Sequence, residues 1–310
     1  MDPVTNTLGL DKADMPGKMI AIEEQHGCDG TFLISSIMHH ALKKEQAVCL
    51  ALYHNTFNHY HNIGMRLGFN LMSLREKGQI TVVEPMKDIA TDVENLCEDK
   101  LEDSILLKSM SESDINAVHK LFADVKDKYY EAKEYSNSVV LIVDDLSHLC
   151  DLGFTLRDVM YYVRYLKSLI ELESAAQLCV LTHVFPMYSQ ECTANALGNS
   201  LKHTAHLFVS LEPLQTGYSS DASGKLIINW RPVLIRREFH WPERATYLYK
   251  LLNGQVKIYA PGMVGTVFSI DHCIWMFEPL RNLLSLWKPW DSFSLTFTVN
   301  PNNLIDLSVT

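Results

Sequence analysis

A strand, a glycine-containing turn and a helix start, in that order, are the parts from which proteins build a phosphate site. Backbone N–H groups and the helix N-terminus then face the anion. Lys18-Met-Ile-Ala-Ile22 reads as such a strand, Glu24 to Gly30 as the turn, and Thr31 as the start of a helix that Asp29 or Thr31 would cap. The working pattern is G-x-x-x-x-G-K-[ST]. With Gly30 as its second glycine, Gln25 stands in the first glycine's place, Thr31 in the lysine's and Phe32 in the hydroxyl's. Nothing there neutralises a phosphate or coordinates magnesium, and Asp29 adds a like charge. Gly27, Asp29, Gly30 and Thr31 therefore read as a degenerate loop, a junction of nucleotide-binding type without its nucleotide. The other half of such a site is an apolar strand ending in an acid that holds magnesium. Val139 to Val143 followed by Asp144 and Asp145 fits, but without the loop these acids have no metal–phosphate to serve.

Other chemistries find less support. His39-His40, His54, His59 and His61 are tempting as metal ligands, yet two ligands on one helix want a spacing of four. His59 and His61 are two apart and point to nearly opposite sides. G-x-S-x-G is absent, and the spacing of His148 and His183 aims neither at a nucleophile. Glu23-Glu24 and Asp144-Asp145 are neighbours in sequence, and neighbours on a strand do not face one another. Arg231, Arg236 and Arg237, interleaved with Trp230, Phe239, His240 and Trp241, form a basic–aromatic stretch suited to RNA; the plainer reading is a solvated loop between strands. No catalytic residue, metal ligand or cofactor is assigned.

The elements that must position these residues alternate. After Met1 to Pro16, expected to be a flexible N-terminus, strands are expected at 18–22, 47–52, 80–83, 138–143, 177–184 and 205–211. Helices are expected from Thr31, over Thr56 to Leu67 with a stop at Gly68, over Ile115 to Tyr135, from Thr155 to Glu171, and near Asn195 to Lys202. The run at 138–143 is apolar on both faces, as a central parallel strand must be. An acidic excursion occupies about 88–113. From Lys225 onward the pattern becomes antiparallel: a strand to Arg231, then Thr246 to Leu252 joined through Asn253-Gly254 to Gln255 to Tyr259.

Composition bounds the class. The 310 residues carry 27 Lys+Arg against 37 Asp+Glu, a net charge of −10, with 47 % hydrophobic residues. That is globular, and too acidic for a stand-alone nucleic-acid binder. Seven cysteines, odd in number and without C-x-x-C spacing, suggest thiols in a reducing compartment. No signal peptide and no membrane-spanning run is expected.

Several stretches together carry a resemblance: Cys28-Asp-Gly-Thr-Phe-Leu33; Phe57-Asn-His-Tyr60 with Gly64-x-x-Leu-Gly68; Arg75-Glu-Lys-Gly-Gln79; and Leu141-Ile-Val-Asp-Asp-Leu-Ser147. Leu197-x-Asn-x-Leu201, His206-Leu, Thr216-Gly-Tyr218, Gly224-Lys-Leu, Trp230-Arg and Tyr259-Ala-Pro-Gly-Met263 continue in the same order. Over about 15–264 the chain resembles the family of the sixth Elongator subunit. The resemblance implies an α/β, RecA-like (P-loop NTPase-type) domain over 17–264. Its mostly parallel sheet is flanked by helices and ends in a C-terminal antiparallel hairpin region, and its nucleotide-binding motifs are degenerate. It also implies assembly with the fourth and fifth Elongator subunits into a heterohexameric ring. Through the ring it would join the remaining subunits, bind tRNA and support wobble-uridine modification, in cytoplasm and nucleus and without a membrane. The alternative is an active nucleotide hydrolase with an unorthodox loop. Residues 265–310 hold three of the five Trp and resemble nothing in the family; they are expected to be an atypical, disordered tail.

Overall fold

The structure, a computed structural model, describes residues 2–87, 115–173, 175–185, 192–214, 219, 221–252, 255–260, 295–299 and 305–309. The acidic excursion, the Thr216-Gly-Tyr218 stretch and the Asn253-Gly254 turn lie outside them.

Nine strands form one sheet: β1 (Met19–Gln25), β2 (Ala47–Leu52), β3 (Ile80–Val83), β4 (Val139–Asp144), β5 (Ala176–Val184), β6 (Leu207–Glu212), β7 (Gly224–Trp230), β8 (Arg244–Leu252) and β9 (Gln255–Tyr259). Their order across the sheet is β3-β2-β4-β5-β1-β6-β7-β8-β9. From β3 to β6 all neighbours are parallel. From β6 to β9 they are antiparallel. Every residue of β2 and β4 is buried, which explains why each reads as an unbroken apolar run.

Side chains alternate between two cores. Ile20 and Ile22 of β1 join one, with Val4, Leu33, Ile37 and Tyr60. Met19 and Ala21 join the other, with Val125, Tyr129, Tyr162 and Leu166. The first face carries α1 (Pro3–Leu8), α2 (Thr31–Lys43), α3 (Phe57–Leu67) and α4 (Leu71–Glu76). The second carries α5 (Ile115–Tyr135), α6 (His148–Asp151), α7 (Leu156–Leu172) and α8 (Thr193–Thr204). Local chemistry sets the helix limits. Thr56 caps α3 through the N–H of His59, and Gly68 ends it at φ 87°. Thr155 and Asp158 cap α7 reciprocally.

Besides the single turn α6, three helices differ from the sequence expectation. The first sixteen residues are not a flexible terminus throughout: they hold α1, whose start is closed by Asp2 accepting the Val4 N–H at 2.9 Å and whose Val4 and Leu8 are fully buried. Helix α4 appears where none was expected. Between β7 and β8, where a loop was expected, lies α9 (Val233–Phe239), none of whose residues is buried.

The chain divides into two compact units, Met1–Val264 and Gly265–Thr310. In the second, β10 (Leu295–Val299) pairs antiparallel with β11 (Ile305–Val309), so this stretch is not wholly without order.

Candidate functional site

Parallel strands present their carboxyl ends at one edge of the sheet, where α/β folds place ligands. The ends of β1, β4 and β5 border a cleft of about 680 Å³ there. Four histidines and four carboxylates line it; among the described lining residues there is no Lys or Arg.

Strand register creates its central contact. Glu24 of β1 is the direct partner of His183 of β5. Their side chains meet, His183 Nδ1 standing 2.8 Å from Glu24 Oε1. The Glu24 hydrogen bond raises the imidazole's pKa, against the opposing effect of burial. The other Glu24 oxygen, Oε2, accepts the Gly30 N–H at 2.5 Å. Asp29 Oδ1 accepts the Thr31 N–H at 2.8 Å. Two donors at the start of α2, of the kind a phosphate would use, are thus taken by the chain's own carboxylates.

The end of β4 is equally self-contained. Asp145 Oδ1 accepts from both the N–H (2.9 Å) and the hydroxyl (2.7 Å) of Ser147. Ser147 Oγ in turn accepts the backbone N–H of His183 at 3.2 Å. Burial pushes the Asp145 carboxyl up to about 7. Asp144 is fully buried. Its Oδ2 accepts from Tyr60 (2.7 Å) and Asn55 (3.1 Å), and burial raises its pKa. Its Oδ1 has no hydrogen-bond partner among the described residues.

The sequence-derived residues therefore fall into place unevenly. Asp29, Thr31 and Asp145 line the cleft, and Gly30 adjoins it through Glu24. Gly27 sits in the turn at φ 92°, and Asp144 lies beneath, held by α3. Missed in the sequence were Glu24 and His183, which adjacency and spacing gave no reason to join. Of the remaining histidines, His39 stacks on Phe69, His40 faces Asp11 and His61 stacks on Phe57. His54 stacks on His148 at 4.3 Å within the cleft wall.

The basic–aromatic stretch does not converge on one point. Arg231 donates to the carbonyls of Lys202 and His203 at the end of α8, a cation closing a helix C-terminus. Arg236 faces Glu243 at 3.4 Å, while Arg237 is exposed on α9. Trp241 packs between Trp230 and Phe239, 4.9 Å from each.

Comparison with known proteins gives a consistent picture. A profile described as Elongation complex protein 6 matches residues 5–253. Elongator complex protein 6 of Homo sapiens is 28 % identical over 235 residues, covering 76 % of this chain and 87 % of that protein. The Rattus norvegicus protein of the same name is 30 % identical over 241 residues, with the same coverages. The Drosophila melanogaster one is 26 % identical over 261 residues, covering 83 % and 95 %. Among solved structures, an uncharacterized protein of Pyrococcus horikoshii, crystallised with an unknown peptide, superposes with a TM-score of 0.52 at 11 % identity, over 82 % of this chain and 95 % of that one. A KaiC-like protein of the same organism gives 0.49 at 11 %, over 79 % and 90 %. At such identity the likeness to the first is one of fold, and the architecture is the α/β one expected from the sequence: a mostly parallel sheet flanked by helices, with antiparallel strands at its C-terminal end.

Proposed function

The chain belongs to the Elongation complex protein 6 family, and from that premise we propose that it is a non-catalytic subunit of the Elongator complex. It assembles with the fourth and fifth subunits into a heterohexameric ring, in cytoplasm and nucleus. The ring binds tRNA and supports modification of the wobble uridine, with the chemistry residing in another subunit. The observation that carries the non-catalytic reading is the occupied phosphate loop. Glu24 and Asp29 take the N–H groups of Gly30 and Thr31, and a triphosphate would meet negative charge where it needs positive charge. The same observation weighs against an active nucleotide hydrolase. Within the ring, the basic stretch is proposed as an RNA contact, with Arg237 as its exposed member and Arg231 and Arg236 already engaged by the fold. No described helix is long and apolar enough to cross a membrane.

Co-expression with candidate fourth and fifth subunits, followed by size-exclusion chromatography with light scattering, tests this reading. The expected result is one peak at the mass of a mixed hexamer. A monomer that ignores both partners would overturn it.

A further inference from the structure

We propose that Glu24, Asp145 and His183 hold a divalent transition-metal ion of the Zn²⁺ type at the carboxyl edge of the sheet. One donor atom from each residue lies within 4.8 Å of the others. Bonds of about 2.1 Å in a tetrahedral site put donors about 3.4 Å apart, which lies between the shortest and the longest separations here. Glu24 Oε1 and His183 Nδ1 are hydrogen-bonded at 2.8 Å, so an ion would replace that bond and open the pair to the spacing of two ligands. Both residues are only half-buried, whereas Asp145 is buried and anchored by Ser147. The fold itself brings the three together: β1 and β5 are in direct register at Glu24 and His183, and Asp145 follows the last residue of β4.

A second observation points to a cation. Asp144 is fully buried, feels the charge of Glu24, and keeps Oδ1 without a partner among the described residues. Buried carboxylate oxygens are normally hydrogen-bonded, paired or metal-bound. Together with Glu24 and Asp145 it gathers three acids at the strand ends. His183 is the basic partner there, and no described Lys or Arg lines the cleft. The mixed oxygen and imidazole donor set suits Zn²⁺ better than Mg²⁺ or Ca²⁺, which prefer oxygen alone. A further coordination position would face the cleft, whose wall also carries His54, His148, Cys150 and Cys192. The ion would clip β1, β4 and β5 together where this type of fold usually holds a nucleotide. This site stands whether or not the ring reading holds.

The test is titration of the purified full-length chain, stripped with chelator, with ZnCl₂ by calorimetry, and with Co²⁺ by visible absorption. One ion per chain is expected, with a Co²⁺ spectrum of a mixed nitrogen–oxygen site. Glu24→Gln, which keeps an acceptor for the Gly30 N–H, Asp145→Asn and His183→Gln are each expected to weaken binding at least tenfold and to erase that spectrum. Circular dichroism of the metal-free variants reports whether they fold; a variant that does not is set aside, and the others give the same readout. His59→Gln, which lines the cleft outside the cluster, is expected to bind as the parent does. No saturable uptake, or uptake undiminished in Glu24→Gln and His183→Gln, would overturn the proposal.

Discussion

At Gly30 the limiting quantity is space. The backbone φ of −83° suits any residue, but a Cβ there would stand 2.8 Å from both Glu24 Oε2 and Leu181 Cδ1. Leu181 is buried in the core and Glu24 is tied to His183, so neither yields freely. Gly30→Ala is expected to push Glu24 off the loop and to cost about 1–3 kcal/mol, as overpacking does. Urea unfolding would show this as a lower midpoint at unchanged slope; an unmoved midpoint would mean that Glu24 swings away without cost. The sequence displays half of this site. That Thr31 stands where a lysine belongs is visible in the motif, and so is the acid at the end of β4. What replaces the phosphate is not visible. Glu24 and His183 are 159 residues apart, and only the pairing of β1 with β5 sets one opposite the other.

Elements with strong periodicity or firm caps were legible, and short ones were not. Helix α5 spans Ile115–Tyr135, the limits its pattern gave, and β2 and β4 are apolar because both their faces are covered. Helices α1 and α4 have six residues each, too few for a period to declare itself, and α9 only half-buries Ile235 and Phe239 against the core. Contacts between elements lie further out of reach. His206 is an instance: it joins β1 and β6 by accepting the Met19 N–H on Nδ1 at 3.0 Å. That bond needs a neutral ring, and burial, with Lys167 and Lys18 nearby and Glu171 opposing, lowers the His206 pKa from 6.5. Below about pH 6.5 the unfolded chain takes up a proton that the folded chain resists. Stability from this group is therefore complete above that pH and declines as the pH falls toward the folded value. In His206→Asn the amide oxygen replaces Nδ1 as acceptor without titrating. The urea midpoint of the variant is expected to fall less between pH 7.5 and pH 5 than that of the parent (values set by the window of about 6.5 and below); parallel curves would assign the pH dependence to another group.

For the whole molecule, the question is which part of the chain closes the core. All nine strands of the main sheet lie between Met19 and Tyr259. The buried residues of one core run from Val4 to Tyr249 and those of the other from Met19 to Phe208. Among the described strands the sheet ends in β3 on one side and β9 on the other, and an edge strand offers unpaired backbone groups to a neighbour. That is a surface an assembling subunit can use and a lone one must protect. By contrast, β10 and β11 pair only with each other among the described strands, inside a separate compact unit. A chain stopped after Val264 keeps both cores and the complete sheet. It is expected to unfold cooperatively and to melt within about 2 °C of the full chain, less than the shift that 1 kcal/mol produces in a domain of this size. Under the proposed assembly it is also expected to enter the mixed hexamer. A melting point lower by about 5 °C or more, or a broad transition, would mean that residues 265–310 stabilise the domain. Full stability with failure to assemble would move those residues into the interface instead.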